Sequence, residues 1–130
     1  MSNTLSKSLR VEEENLACAM GSGSLAVLAT PAVVALMENA AAALADEILA
    51  DETLTTVGTM ISIEHTSPTP IAAEVTATAV LTSRDGRFFH FTGLHFHRRK
   101  FPEVKGNPGN KNNNDRFDNS LQMAFHILPP

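Results

Sequence analysis

The chain has 130 residues, a formal net charge of −4 and 43% hydrophobic residues, with one cysteine and neither Trp nor Tyr. That is one domain's worth of sequence, and the lone Cys18 excludes an internal disulfide framework and a Cys-rich zinc site. The longest nearly apolar stretch, Leu25 to Met37, holds Thr30 and Pro31 and stops at Glu38, short of the ~18 residues of a membrane span, and polar, acidic Met1 to Asn15 has no apolar signal core, so a cytoplasmic protein is expected.

Residues 1–14 are polar, with a weak strand signal around Leu9 to Val11. Gly21-Ser22-Gly23 reads as a turn or loop; no Gly-Lys-Ser/Thr follows at the spacing of a phosphate loop. Thr30-Pro31 opens a helix expected over Ala32 to about Leu49, with Thr30 as its N-cap and Pro31 at the first helical position. Ala and Leu dominate this run, and from Ala32 to Ala45 only Glu38 and Asn39 are polar, as in a helix buried on most faces.

Thr55 to Thr66 reads as a strand with Val57, Thr59, Ile61, Ile63 and His65 on one face. Ser67-Pro68-Thr69-Pro70 breaks it. Glu74 to Thr82 is a second strand, with Val75, Ala77, Ala79 and Leu81 on one face. Asp85-Gly86 signals a tight hairpin into a third strand, Phe88 to about His97. One long helix followed by antiparallel strands is an α+β pattern, the sheet wrapping its apolar face around the helix.

The end of the chain differs. Residues 1–83 carry two bases against ten acids, whereas residues 84–130 carry eight bases against four acids. Residues 98–119 hold six Asn, two Pro and two Gly, the composition of a loop or disordered segment. Leu121, Met123, Phe125 and Ile127 then alternate as in a last strand.

Four residues stand out as carriers of chemistry. Glu38 sits mid-helix among Val34, Ala35, Ala41 and Ala42; it is either a catalytic or substrate-orienting carboxylate, or part of a narrow exposed stripe. His65, on an apolar strand face, is by itself more often structural, but beside an acid it is a usable base. Thr30 adds to its capping role a hydroxyl two turns before Glu38, at a helix end that favours anions. Gly58 within a strand marks a close backbone approach, whose N–H suits an oxyanion, or a simple bulge. His90, His95 and His97 lack the further ligands of a metal centre, so neither metal nor cofactor is expected. Arg98-Arg99-Lys100 reads as solvated rather than as a nucleic-acid contact, and Cys18 as a buried thiol.

Three blocks of residues resemble a known family. Ala19-Met20-Gly21-Ser22-Gly23, Val27-Leu28-Ala29-Thr30-Pro31-Ala32 and Ala35-Leu36-Met37-Glu38 are similar to the fluoroacetyl-CoA thioesterase-like group of hotdog-fold proteins. Thr56-Val57-Gly58-Thr59, His65-Thr66, Pro68-Thr69-Pro70 and Val75-Thr76-Ala77-Thr78-Ala79 extend the likeness across about residues 11–92. The resemblance implies a hotdog fold, a long helix wrapped by an antiparallel sheet, in a homodimer or higher homo-oligomer with sites at the subunit interface. It also implies a catalytic Thr30, Glu38 and His65, with Gly58 beside the substrate, and hydrolysis of a short-chain acyl-CoA. His65 would serve as general base, then acid, and Thr30 as nucleophile or water-positioning hydroxyl. Glu38 would orient or activate one of these. A non-catalytic acyl-CoA binding module is the alternative; a hotdog dehydratase fits less well, lacking the Asp/His pair, and nucleic-acid binding by the tail fits least. From Gly93 the resemblance ends, as the family's Gly-x-Gly-x-His-x-Arg pattern is not found after Thr92. Whether Ser120 to Leu128 supplies the missing strand becomes the structural question.

Overall fold

Residues Thr30–Leu49 form the long helix (α2) around which the rest is arranged. Val33, Leu36, Met37, Ala40, Ala41, Leu44 and Ala45 recur at helical spacing of three and four, and all are buried. The computed structural model describes residues 3–63, 65, 68–92, 95–98, 116–117 and 122–128. Its other elements are β1 (Thr4–Arg10), a one-turn helix α1 (Ala17–Met20), β2 (Thr55–Ser62), β3 (Glu74–Asp85), β4 (Phe88–Thr92), β5 (His95–Arg98), β6 (Arg116–Phe117) and β7 (Gln122–Leu128).

The strands form one antiparallel sheet in the order β2-β7-β4-β3-β5-β6, with β1 paired to β3. This is the expected α+β arrangement, and α2 packs on β1, β3 and β2. The weak signal at Leu9 to Val11 proves to be the end of a full strand, whose Leu9 pairs with Val75. Val75, Ala77 and Ala79 are completely buried, as their alternation predicts. Small side chains on β3 let the helix approach closely, while Phe89, Phe91 and Phe125 fill the other end of the inner face. Phe91 meets Phe125 edge to face at 5.5 Å.

The strand read from Phe88 to His97 does pair antiparallel with β3, β4 against Leu81–Asp85 and β5 against Val75–Thr78; residues 93 and 94 lie outside the described residues. Two expectations need correction. The alternation read from Thr55 to Thr66 is broken by a bulge. Gly58 pairs with Phe125 and Met60 with Ala124, so Thr59 is the extra residue and the later side chains change face. Cys18 is exposed, not buried, because α1 turns Ala17 inward. Most of the Asn-rich segment read as loop lies outside the described residues; within it, Arg116 and Phe117 pair with β5.

The alternating run near the end does become a strand. β7 lies between β4 and β2, with Phe125 and Ile127 buried on the inner face. It therefore supplies the sheet with an inner strand where the family resemblance had lapsed.

Two local features close α2 and lead into β2. Ala50 caps the helix in the left-handed region, φ 47°, and donates its N–H to Asp46 O at 3.0 Å. Thr53 then donates from Oγ1 (2.7 Å) and from its backbone N–H (2.9 Å) to Asp51 Oδ1. These bonds, the hydroxyl's first, hold the Asp51 carboxyl below the usual aspartate range. Their small contribution to stability is thus present above that range and is lost as the pH falls through the lowered value. An alanine at φ 47° is strained where glycine is not. Ala50→Gly is expected to stabilise the protein by about 0.5–1 kcal/mol, after allowance for the greater freedom of the unfolded glycine chain. Urea denaturation of the two proteins measures this.

Candidate functional site

The helix begins one residue earlier than its Thr-Pro signal suggests. Ala29, in extended conformation, is the N-cap, and Thr30 is already helical. The Thr30 hydroxyl therefore makes no capping bond, contrary to expectation, and is available on the outside of the first turn. There its Oγ1 lies 2.9 Å from His65 Nδ1. His65 sits beyond the end of β2, half-buried, in the segment leading to Pro68.

Backbone bonds fix the segment that leads into Thr30. Leu28 donates its N–H to Thr69 O at 2.7 Å, and Ala29 donates to Asn15 O at 2.8 Å. Ala17 donates to Val27 O at 2.7 Å, and Leu16 forms a bridge with Leu28. Leu28 and Ala29 are themselves buried. The hydroxyl thus stands on a rigid helix end rather than on a loose loop, as a site held to tight tolerance requires.

Glu38 and Gly58 form a second pair. A Cβ placed on Gly58 would lie 2.9 Å from Glu38 Oε2, closer than side chains pack. Gly58 is thus a close approach by the Glu38 carboxylate, next to the bulge at Thr59. Both sequence readings of this glycine, approach and bulge, describe it. Glu38 is half-buried and Asn39 exposed, so the polar pair straddles the edge of the buried face. Eight residues of helix separate Thr30 from Glu38, about 12 Å along the axis. Within one chain the residues form two pairs, Thr30 with His65 and Glu38 with Gly58, rather than one triad.

A cavity of about 400 Å³ opens beside the first pair, with Thr30 and His65 in its wall. Ala17, Leu25, Val27, Leu28 and Pro68 give it apolar surface, and Ser22, Gly23 and Ser24 line it as well. Sequence reasoning had taken Gly21-Ser22-Gly23 as a turn and assigned it no part in the site. Its position immediately before the helix that carries Thr30 was the available signal. Among the described residues no group of three His, Cys, Asp or Glu side chains is placed to hold a metal ion, and no helix is long and apolar enough to cross a membrane.

The Glu38–Gly58 contact makes a prediction independent of any activity. Gly58→Ala is expected to cost about 1 kcal/mol or less, because the atom its Cβ meets is the far end of the flexible Glu38 side chain, which can swing aside. In a Glu38→Ala background the same change costs less, since the clashing oxygen is gone. A double-mutant cycle by chemical denaturation reads the difference.

The structure resembles that of a mutant of the fluoroacetyl-CoA-specific thioesterase FlK, with a TM-score of 0.71 and 21% identity over 97% of this chain and 85% of that one. A thioesterase superfamily member from Thermus thermophilus superposes with a TM-score of 0.75 and 16% identity, over 97% of this chain and 81% of the other. A hot-dog-like protein from Thermanaerovibrio acidaminovorans gives a TM-score of 0.73 and 13% identity, over 97% and 81% of the two chains. The fold is accordingly a hotdog. A search of curated protein sequences finds no match. The family of the fluoroacetyl-CoA-specific thioesterase FlK matches residues 11–100, a span that includes Thr30, Glu38, Gly58 and His65, and the chain belongs to that family.

Proposed function

We propose that this thioesterase-family protein is a single hotdog domain that hydrolyses a short-chain acyl-CoA thioester to the free acid and CoA in the cytoplasm. The observation that carries the reading is the 2.9 Å contact between Thr30 Oγ1 and His65 Nδ1 in the wall of a cavity. A hydroxyl paired with an imidazole is the minimum for base-assisted attack on a thioester carbonyl. FlK offers a parallel for the ligand, since a mutant of it has been solved in complex with fluoroacetate and CoA.

In this scheme His65 removes a proton from the Thr30 hydroxyl or from a water that Thr30 positions. The oxygen attacks the carbonyl carbon, and the negative charge moves onto the carbonyl oxygen. Backbone N–H groups stabilise that oxyanion, among them one near Gly58 of a second copy. When the C–S bond breaks, the imidazolium returns its proton to the departing thiolate. A Thr30 acyl-enzyme, if formed, is released by water activated in the same way. The net reaction consumes one water and yields acid and thiol.

Glu38 enters through a second copy. β2 ends the sheet order, and Val57 and Met60 on it are 44% and 45% exposed. An unpaired strand edge carrying apolar side chains favours pairing with another chain. A homodimer joined along β2 would bring a Glu38–Gly58 pair from each copy to the junction and shorten the gap that separates the two pairs within one chain.

Hydrolysis of a panel of short acyl-CoA esters tests the reading. His65→Ala and Glu38→Gln should each lower kcat/KM by about 10²-fold or more, with Thr30→Ser retaining more activity than Thr30→Ala. Unchanged rates in both His65→Ala and Glu38→Gln would remove the site assignment. Ligand-dependent thermal stabilisation without turnover would mark a binding module instead. Val57→Lys on the β2 edge should shift the mass measured by light scattering from dimer to monomer.

A further inference from the structure

The cleft beside Thr30 and His65 is open to solvent on one side and offers more room than a two-carbon acyl group fills. Its volume of about 400 Å³ has room for about a dozen water-sized atoms at about 30 Å³ each. An acetyl group places only a methyl beyond its carbonyl. Among the described residues no Lys, Arg, Asp or Glu lines the cavity, whereas Ala17, Val27, Leu28 and Pro68 offer apolar wall. Burying each further methylene of a substrate against such a wall is worth about four-fold in affinity.

Two glycines lie close together in this loop, for different reasons. Gly21 has φ 72° and caps α1 in the left-handed region, where its lack of a side chain serves the turn. Gly23 has no left-handed φ, and a Cβ built on it would make ordinary contact with Ala17 Cβ at 3.6 Å. Neither backbone nor packing requires glycine at residue 23. Gly23 and Ala17 both line the cavity, so the missing side chain leaves room in it.

Resting on the thioesterase reading, we infer that the cavity takes an uncharged acyl chain of about four to six carbons, and that Gly23 sets the length it accepts. Ser24, exposed in the same wall, bounds it from the rim. The acyl chain lies along Ala17, Val27 and Leu28, with its carbonyl carbon at the Thr30–His65 pair.

The test compares kcat/KM for acetyl-, butyryl-, hexanoyl- and succinyl-CoA in the wild type, Gly23→Val and Ser24→Leu. The wild type should prefer butyryl- and hexanoyl-CoA over acetyl- and succinyl-CoA by about ten-fold or more. Gly23→Val should lower the hexanoyl-to-acetyl ratio by about ten-fold or more. Ser24→Leu, an exposed substitution, should shift the ratio the same way and keeps the test open if Gly23→Val does not fold. A ratio unchanged in both variants, or a wild type favouring acetyl- or succinyl-CoA, overturns the inference. If the wild type hydrolyses none of these esters, the thioesterase reading has failed, and calorimetric titration judges the cavity alone. Hexanoyl-CoA binding about ten-fold tighter than acetyl-CoA, with the difference lost in the variants, supports the inference; equal affinity or no binding overturns it.

Discussion

The burial of one face of α2 against the sheet is the constraint on which the rest depends. Val33, Met37, Ala40, Ala41, Leu44 and Ala45 are wholly or almost wholly removed from water, and each large side chain so buried contributes about 1.5–3 kcal/mol. That packing fixes the helix in rotation and in position along its axis. Thr30 and Glu38 ride on the same helix, so both are placed by it. Thr30 is exposed on the first turn, near the segment that carries His65, and Glu38 reaches the inner side of β2 at Gly58.

The same constraint keeps the two pairs apart. A rigid helix cannot bring residues two turns apart to one point, and about 12 Å of axial rise separates the hydroxyl–imidazole pair from the carboxylate. This favours a division of labour over a relay. In the proposed mechanism proton transfer falls to Thr30 and His65, and the carboxylate acts from the β2 edge. The geometry also explains why β2 departs from strict alternation. The extra residue at Thr59 re-aims the strand just where the glycine makes room for Glu38.

Much of this was legible in the chain. The period of apolar residues from Ala32 to Leu49 announced the helix, and Val75, Ala77 and Ala79 announced the buried face of β3. The hairpin was signalled by Gly86, which does turn with φ 57°. Two kinds of feature were not legible. Gly58 hinted at a bulge in β2, but which residue is the extra one was not legible, because the register is set by pairing with β7, some 65 residues away in sequence. Thr30 looked like a helix cap because Thr-Pro is a strong local signal; the helix begins one residue sooner, and the hydroxyl is given to a histidine 35 positions on. The cavity wall at Gly23 was hidden for a similar reason, since a glycine that makes room and a glycine that makes a turn are the same letter.

β7 is C-terminal to every other described element, yet it is hydrogen-bonded on both sides, to β4 and to β2. Until those residues have been synthesised, β2 has no neighbour among the described strands, and the far end of the inner face has no Phe125 or Ile127. A growing chain therefore holds its helix and the β1–β3–β4 part of the sheet with one flank open. Closing it needs contacts between distant parts of the sequence, which are slow to form, and leaves apolar surface exposed meanwhile. Folding of this domain is in that sense completed by a strand that follows every other described element in sequence and inserts between two of them.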